Sequence, residues 1–149
     1  MIIEAIRFRM KDGREAVLRS PREEDIQSTI DYLGKSAGET EFILRYPEEC
    51  GKYTPELEKA VFAQKNESPC DAMIMAVVDG RVVGSCEIHL YTGLKTRHRA
   101  NVAIALLRDY WNQGIGTRML EEMIRMARAK FEKETLLDIN RRLNELVKL

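Results

Sequence analysis

The feature that most constrains the fold of this chain is a segment in which a strand, a glycine turn and a helix follow one another directly. Apolar residues 100–107 predict a strand, and residues 114–130 predict an amphipathic helix that begins at a Gly114-Ile115-Gly116 turn. Glycine lets a ligand approach the backbone closely, and the first N–H groups of a helix have no partner inside the helix. The segment therefore predicts a site for a phosphate group.

Two hairpins and two helices are predicted before this segment. Asp-Gly pairs at 12–13 and 79–80 lie between β-prone residues and are typical of hairpin turns. Pro21 and Pro55 follow helix-capping residues, so a helix is predicted after each, the first ending at Gly34. Residues 35–53 are predicted to form a loop with one short helical turn. In the helix of residues 114–130, the apolar stripe is predicted to be Met119, Leu120, Met123, Ile124 and Ala127.

The tail, residues 131–149, fits two interpretations. Leu136, Ile139, Leu143 and Leu146 recur at helical spacing, whereas residues 135–139 also fit a short buried strand before a helix. We favour one helix. The whole chain of 149 residues is predicted to be a single domain.

Composition excludes several classes of function. Lys and Arg total 24 and so do Asp and Glu, which argues against binding to nucleic acid or to a membrane surface. No apolar run reaches the roughly 20 residues that a membrane-spanning helix needs. Three cysteines without CxxC spacing, and an amino end that lacks the apolar core of a signal peptide, predict a cytoplasmic protein. Two isolated histidines predict no metal site.

Three interpretations of the glycine turn can be compared on its residues alone. A dinucleotide-binding unit would have a third glycine where Met119 stands, and a P-loop would need a Gly-Lys-Ser/Thr sequence that is missing here. A tight turn with no ligand remains open. If a ligand is bound, the backbone of residues 104–106 can pair with an extended chain that carries amides, provided that the strand separates from its neighbour at a bulge.

Residues 111–116, Trp-Asn-Gln-Gly-Ile-Gly, resemble the acetyl-CoA signature of the Gcn5-related N-acetyltransferase (GNAT) family. That signature is an Arg or Gln, two residues, a Gly, any residue, and a Gly or Ala; Trp111 stands at the first position, as in the branch with Tyr-Trp-x-x-Gly-x-Gly. The resemblance covers residues 16–130 and implies an α+β fold in three layers, with a mostly antiparallel, mixed sheet flanked by helices. The usual last strands of the family are lacking, so residues 100–130 are the acetyl-CoA-binding core and residues 131–149 an atypical tail.

The resemblance also implies the ligand and its contacts. Acetyl-CoA is the expected co-substrate. Its pantetheine arm is expected on Ile104, Ala105 and Leu106. Its diphosphate is expected on Asn112, Gln113, Gly114, Ile115, Gly116 and Thr117.

Acetyl transfer to an amine also requires a base, because the amine must lose a proton. In the histone-modifying branch of the family that base is a Glu on the strand before the glycine turn, and Ala100 stands at the matching position. We predict Glu87 and His98 as substitutes. Many relatives protonate the departing thiolate with a Tyr, whose place is taken here by Val147.

The expected function is therefore N-acetylation of a primary amine on a small molecule or protein. A CoA-binding module with weak or no turnover, and an interaction protein without a ligand at the turn, are the alternatives. A sheet edge left open by the missing strands predicts a homodimer or larger assembly in which the tail helix packs against a second copy.

Overall fold

The computed structural model describes the backbone of residues 1–147 and the side chains of residues 1–133. Two strands are followed by two helices, three more strands and one long helix. Their bounds are β1 Ile6–Arg9, β2 Glu15–Arg19, α1 Ile26–Glu39, α2 Pro55–Glu67, β3 Asp71–Val78, β4 Arg81–Leu90, β5 Ala100–Leu106 and α3 Ile115–Val147. Short 3-10 turns lie at Glu23–Asp25, Pro47–Lys52 and Arg108–Tyr110.

The five strands form one antiparallel sheet in the order β1-β2-β3-β4-β5. This confirms the predicted α+β fold and its mostly antiparallel sheet. Both predicted Asp-Gly hairpins are present; in the second, Asp79 and Gly80 have φ of 50° and 74°, as a two-residue turn of this kind requires. The pairing of β3 with β4 shifts register between Ala76 and Val77.

The helices cover opposite faces of the sheet. Tyr32 of α1 contacts the Ser85 hydroxyl of β4, whereas Glu122 of α3 acts electrostatically on Cys86, the next residue of that strand. Successive side chains of a strand point to opposite faces, so α1 and α2 form one outer layer and α3 the other. The core between these layers includes Leu18, Ile74, Met75, Ile88, Ile115, Met119 and Met123.

Helix α1 differs from the prediction at both ends. It begins at Ile26, after a 3-10 turn, and continues through Gly34 to Glu39, so the predicted end at Gly34 is wrong. A helical glycine costs about 1 kcal/mol, and burial of Ser36 and Ala37 in the next turn offsets that cost. The loop predicted over residues 35–53 is correspondingly shorter. It contains the 3-10 turn Pro47–Lys52.

Helix α3 runs without a break into the tail, which confirms the favoured helix. The sequence after Gly116 has no Gly or Pro, so nothing ends the helix at Lys130 as predicted. Two residues of the predicted stripe lie outside the core, because Leu120 is 44% and Ile124 52% exposed. The predicted packing of Leu136, Ile139, Leu143 and Leu146 concerns side chains outside the described residues.

The described backbone, residues 1–147, contains no strand after β5. Strand β5 is therefore the outer strand of the sheet, and one of its edges has no strand beside it. Among the described residues, no helix combines the length and apolar character that crossing a bilayer demands.

Candidate functional site

The junction between β5 and α3 is an open cradle of backbone N–H groups. Asn112 and Gly114 have φ of 60° and 91°, so the chain turns sharply before α3 begins. The N–H of Arg118 donates to the Gly114 carbonyl at 3.2 Å. The helix positions that precede this hydrogen bond present their N–H groups at the positive end of the helix dipole. They are Ile115, Gly116 and Thr117.

The space beside the cradle is open. A Cβ atom built on Gly114 would meet no heavy atom within 4 Å, and one built on Gly116 would meet only Leu106 Cδ1, at 3.5 Å. Gly114 therefore allows a ligand to approach its backbone. The open N-terminal end of α3 fits a diphosphate.

Two side chains fix the turn in position. The indole Nε1 of Trp111 donates to the Leu106 carbonyl at 2.9 Å, and the Gln113 side-chain oxygen accepts from the Asp12 backbone N–H at 3.0 Å. Trp111 thus ties the turn to the end of β5, and Gln113 ties it to the first hairpin. Because the Gln113 side chain is engaged there, a contribution of this residue to the cradle would come from its backbone.

Alternate residues of β5 direct their backbone groups to opposite sides. The Leu107 N–H donates to the Val83 carbonyl at 2.9 Å, and the Tyr91 N–H donates to the Arg99 carbonyl at 3.1 Å. The register between these points is continuous, so odd-numbered residues of β5 face β4. The residues whose N–H and C=O groups face the free edge are Ala100, Val102, Ile104 and Leu106.

The three residues predicted to bind pantetheine therefore differ in the direction of their backbone N–H and C=O groups. Ile104 and Leu106 present backbone groups at the free edge, where an extended amide chain can pair with them. The Ala105 carbonyl faces inward and accepts a hydrogen bond from the Tyr32 hydroxyl at 3.1 Å. The regular β4–β5 pairing also shows that the edge is accessible without a bulge in β5.

A cavity of about 960 Å³ lies beside the turn, on the α1 side. Arg108 and Trp111 form one wall, and residues 37–47, at the end of α1 and in the loop after it, form the rest. In this loop Phe42 is 95% exposed. Arg108 is fixed because its backbone N–H donates to the Glu39 carboxylate at 2.7 Å and its guanidinium donates to the Glu39 carbonyl. Arg108 and Trp111 therefore connect this cavity to the cradle.

The two predicted bases lie in different surroundings. Glu87 of β4 forms an ion pair with Lys65 of α2 at 2.7 Å. His98 lies in the exposed turn before β5 and has no hydrogen bond or ion pair among the described side chains. The structure does not bring them into one site, and both assignments stay predictions.

Residues 39–148 match the family described as the acetyltransferase (GNAT) family. The chain belongs to the GNAT family. No curated protein sequence matches it. Among solved structures, a GNAT acetyltransferase from Streptococcus pneumoniae has a TM-score of 0.69 and 23% identity, covering 77% of this chain and 68% of its own.

Two other solved GNAT structures contain the coenzyme. The PaiA N-acetyltransferase of Thermoplasma acidophilum, in complex with coenzyme A, has a TM-score of 0.61 and 18% identity, covering 77% of this chain and 73% of its own. The phosphinothricin acetyltransferase of Sinorhizobium meliloti, in complex with acetyl-CoA, has a TM-score of 0.60 and 18% identity, covering 76% and 60%. These similarities show that the chain has the GNAT fold.

Sequence reasoning missed a buried carboxyl group in this GNAT domain. Glu58 in the first turn of α2 is 4% exposed, although a Glu at that helical position is usually solvated. Burial raises the pKa of the Glu58 carboxyl; the Arg45 guanidinium opposes this increase and the charge of Glu87 adds to it. Only the three-dimensional packing of α2 on the sheet reveals this group.

Proposed function

We propose that this GNAT protein is an N-acetyltransferase that transfers the acetyl group of acetyl-CoA to a primary amine of a small molecule or protein. The observation that carries the proposal is the open N–H cradle at Gly114, which adjoins a strand with an accessible backbone edge. Coenzyme complexes of PaiA and of the phosphinothricin enzyme, which have the same fold, support it.

Backbone groups would hold most of the coenzyme. The N–H groups at the start of α3 would donate to the diphosphate oxygens. Ile104 and Leu106 would pair with the amides of the pantetheine arm, much as a peptide adds to a sheet edge. The Leu106 carbonyl already accepts from Trp111, but a carbonyl oxygen has two lone pairs and can accept again.

The cavity beside the turn would admit the acceptor, whose amine would extend along β5 to the thioester end of the pantetheine arm. Its wall includes Phe42, Tyr46 and Trp111 for apolar contact, and Glu39 and Glu41 for attraction of a cation. Arg45 and Arg108 line the same cavity, so its charge is balanced and a cationic amine would be attracted by direct pairing with one of the carboxylates.

Isothermal titration with CoA tests the proposal at Gly114. Gly114→Glu places a negative charge where the diphosphate would lie, and we expect it to abolish measurable CoA binding. Gly80→Glu is the matched control, because Gly80 also has positive φ and open space around its Cα but lies in a remote hairpin turn. Equal CoA affinity in both variants would remove the diphosphate assignment.

A second candidate function is CoA binding without turnover. The ion pair of Glu87 with Lys65 favours it, because a carboxylate held by a cation is a weak base. Release of thiol from acetyl-CoA in the presence of an amine panel separates the two functions. Thiol release that depends on the amine supports the transferase.

We also propose a homodimer or larger assembly. Val102 is 42% and Ile104 40% exposed, and exposed apolar side chains favour association through this face of the sheet while the backbone edge of β5 stays open for the coenzyme. Light scattering at micromolar concentration that shows only monomer would contradict this proposal. Deletion of residues 134–149 would test whether the tail makes the contact.

The proposed location is the cytoplasm. Cys50, Cys70 and Cys86 are all free thiols, which fits a reducing compartment. Fractionation of cells that express the tagged protein tests this location.

A further inference from the structure

A line of polar side chains joins the end of α2 to β3 and β4, and the chemistry above does not use it. The His89 Nδ1 atom lies 2.9 Å from Asp71 Oδ1. The second oxygen of Asp71 accepts a hydrogen bond from the Ser68 hydroxyl at 2.7 Å. Ser68 Oγ in turn accepts from the Asp71 backbone N–H at 2.9 Å. The Asp71 carboxylate is therefore fixed on both of its oxygens.

Asp71 determines which nitrogen of His89 carries a proton. The Ser68 hydroxyl lowers the pKa of Asp71, burial opposes this, and His89 and Lys65 lower it further. Asp71 is consequently ionised at neutral pH and can only accept a hydrogen bond from the imidazole. The neutral imidazole then carries its proton on Nδ1, and Nε2 has a free lone pair.

The imidazole is accessible and stands beside the outer strand. The His89 side chain is 47% exposed, and its ring meets the Tyr91 ring edge-on with centroids 5.0 Å apart. His89 pairs with Asn101 of β5, and Glu87 pairs with Ala103. A ligand arm that extends from the cradle along Leu106 and Ile104 would run toward this part of β5.

We propose that His89 is the catalytic base of the acetyl transfer and that Asp71 is its positioning residue. This inference rests on the proposed function. An ammonium group of the acceptor would lose one proton to Nε2, and the free amine would attack the thioester carbonyl carbon. The C–N bond forms and the C–S bond breaks. The amide nitrogen loses a second proton. One of the two protons neutralises the CoA thiolate and the other passes to solvent.

The surrounding charges favour His89 over the two bases predicted from the sequence. Lys65 pairs with Glu87 at 2.7 Å and lies 3.7 Å from Asp71 Oδ1, so Glu87 is already neutralised. The Arg99 guanidinium lies over the Tyr91 ring, 5.9 Å from its centroid. His98 has no carboxylate that would orient it among the described side chains.

Steady-state kinetics over pH with His89→Gln tests the proposal, and the same series on His98→Gln tests its competitor. We expect His89→Gln to lower kcat about 100-fold or more, with the KM for acetyl-CoA and the CoA Kd within about twofold of wild type. A fall in kcat of that size in His98→Gln and not in His89→Gln would overturn the proposal in favour of His98. Equal kcat in wild type and His89→Gln would overturn the proposal and leave the proposed function intact. If the wild-type protein does not bind CoA, the proposed function itself is overturned.

The positioning role of Asp71 has a readout that does not depend on activity. Nitrogen NMR of the wild-type protein should show the neutral His89 ring as the Nδ1–H tautomer, and a predominant Nε2–H tautomer would overturn the role. Asp71→Asn should lower kcat without changing the CoA Kd, because an amide can donate to Nδ1 and would then hold the imidazole as the Nε2–H tautomer. An unchanged kcat in a folded Asp71→Asn variant would also count against it.

Discussion

The hydroxyl oxygen of Tyr32 in α1 lies 3.1 Å from the Ala105 carbonyl oxygen and 3.2 Å from the Ser85 hydroxyl. Tyr32 is 2% exposed. Burial raises the pKa of the phenol, although the hydrogen bond with Ser85 opposes this, so the hydroxyl keeps its proton and donates it to the carbonyl. Tyr32 thereby fixes β5 at Ala105, between the two residues whose backbone groups face the open edge of the sheet.

We predict that Tyr32→Phe lowers the free energy of unfolding by about 0.5–1.5 kcal/mol, because the ring remains and the half-buried Ala105 carbonyl loses its side-chain donor. Urea denaturation measures the change. Tyr53→Phe is the control, since the Tyr53 ring lies under Arg45 without a hydrogen bond from its hydroxyl among the described residues. Equal stability of both variants would show that the Tyr32 hydroxyl is not holding β5.

Gly84 is required for the close approach of β4 and β5. A Cβ at Gly84 would lie 2.3 Å from Leu106 Cδ2 and 2.9 Å from the Ala105 carbonyl oxygen. We expect Gly84→Ala to destabilise the fold by about 1–3 kcal/mol and to weaken CoA binding, because Leu106 must move. Gly116→Ala, whose Cβ would make an ordinary contact, should leave stability unchanged or raise it by up to about 1 kcal/mol. Thermal unfolding of the two variants checks both outcomes.

The buried Glu58 gives a prediction about pH. Burial raises the pKa of the Glu58 carboxyl in the native state above the ordinary value of 4.5. At pH values between the ordinary pKa and the raised pKa, the native state binds the proton more tightly than the unfolded state. Stability associated with Glu58 therefore falls as pH rises through this interval. We expect Glu58→Gln to be more stable than wild type at pH 7 and nearly equal to it at pH 4.

Denaturant unfolding at both pH values measures this difference. Glu56→Gln is a matched control, because Glu56 lies in the same helical turn and is exposed. A Glu58→Gln variant that loses stability at pH 7 would show instead that attraction to Arg45 outweighs the cost of burying the carboxylate.

The parts of the fold that the sequence predicts are those with local signals. The turn at Asp79 and Gly80 and the Thr54 cap, which accepts from the Leu57 N–H at 3.3 Å, depend on neighbouring residues. The same is true of the glycine cradle. The predicted end of α1 at Gly34 is wrong because glycine is only a local signal. Burial of Ser36 and Ala37 farther along the helix outweighs it.

The His89–Asp71 pair could not be predicted in this way. Counting back from the two-residue turn at Asp79-Gly80 places Cys70 opposite His89. The register shift between Ala76 and Val77 inserts one residue and brings Asp71 there instead. A bulge inside a strand has no dependable sequence signal, and a shift of one residue changes which side chains meet. The pair therefore required the three-dimensional register.

The three cysteines should differ in reactivity. Burial raises the pKa of the Cys86 thiol to about 12, and the carboxylates of Glu87 and Glu122 contribute. At pH 8 only about one molecule in 10⁴ would carry a Cys86 thiolate, and the side chain is 1% exposed. Cys50 and Cys70 are half-buried. Since the thiolate is the reactive form, we predict that Ellman's reagent labels Cys50 and Cys70 in the native protein and Cys86 only after unfolding.

The count of reacted thiols before and after addition of guanidinium measures this difference. Cys86→Ala should leave the native count unchanged and remove the thiol that appears on unfolding. If Cys86 reacts in the native protein as fast as the other two, then α3 must leave the sheet often enough to expose it. The packing of Met119 and Met123 over that face would then be transient in solution.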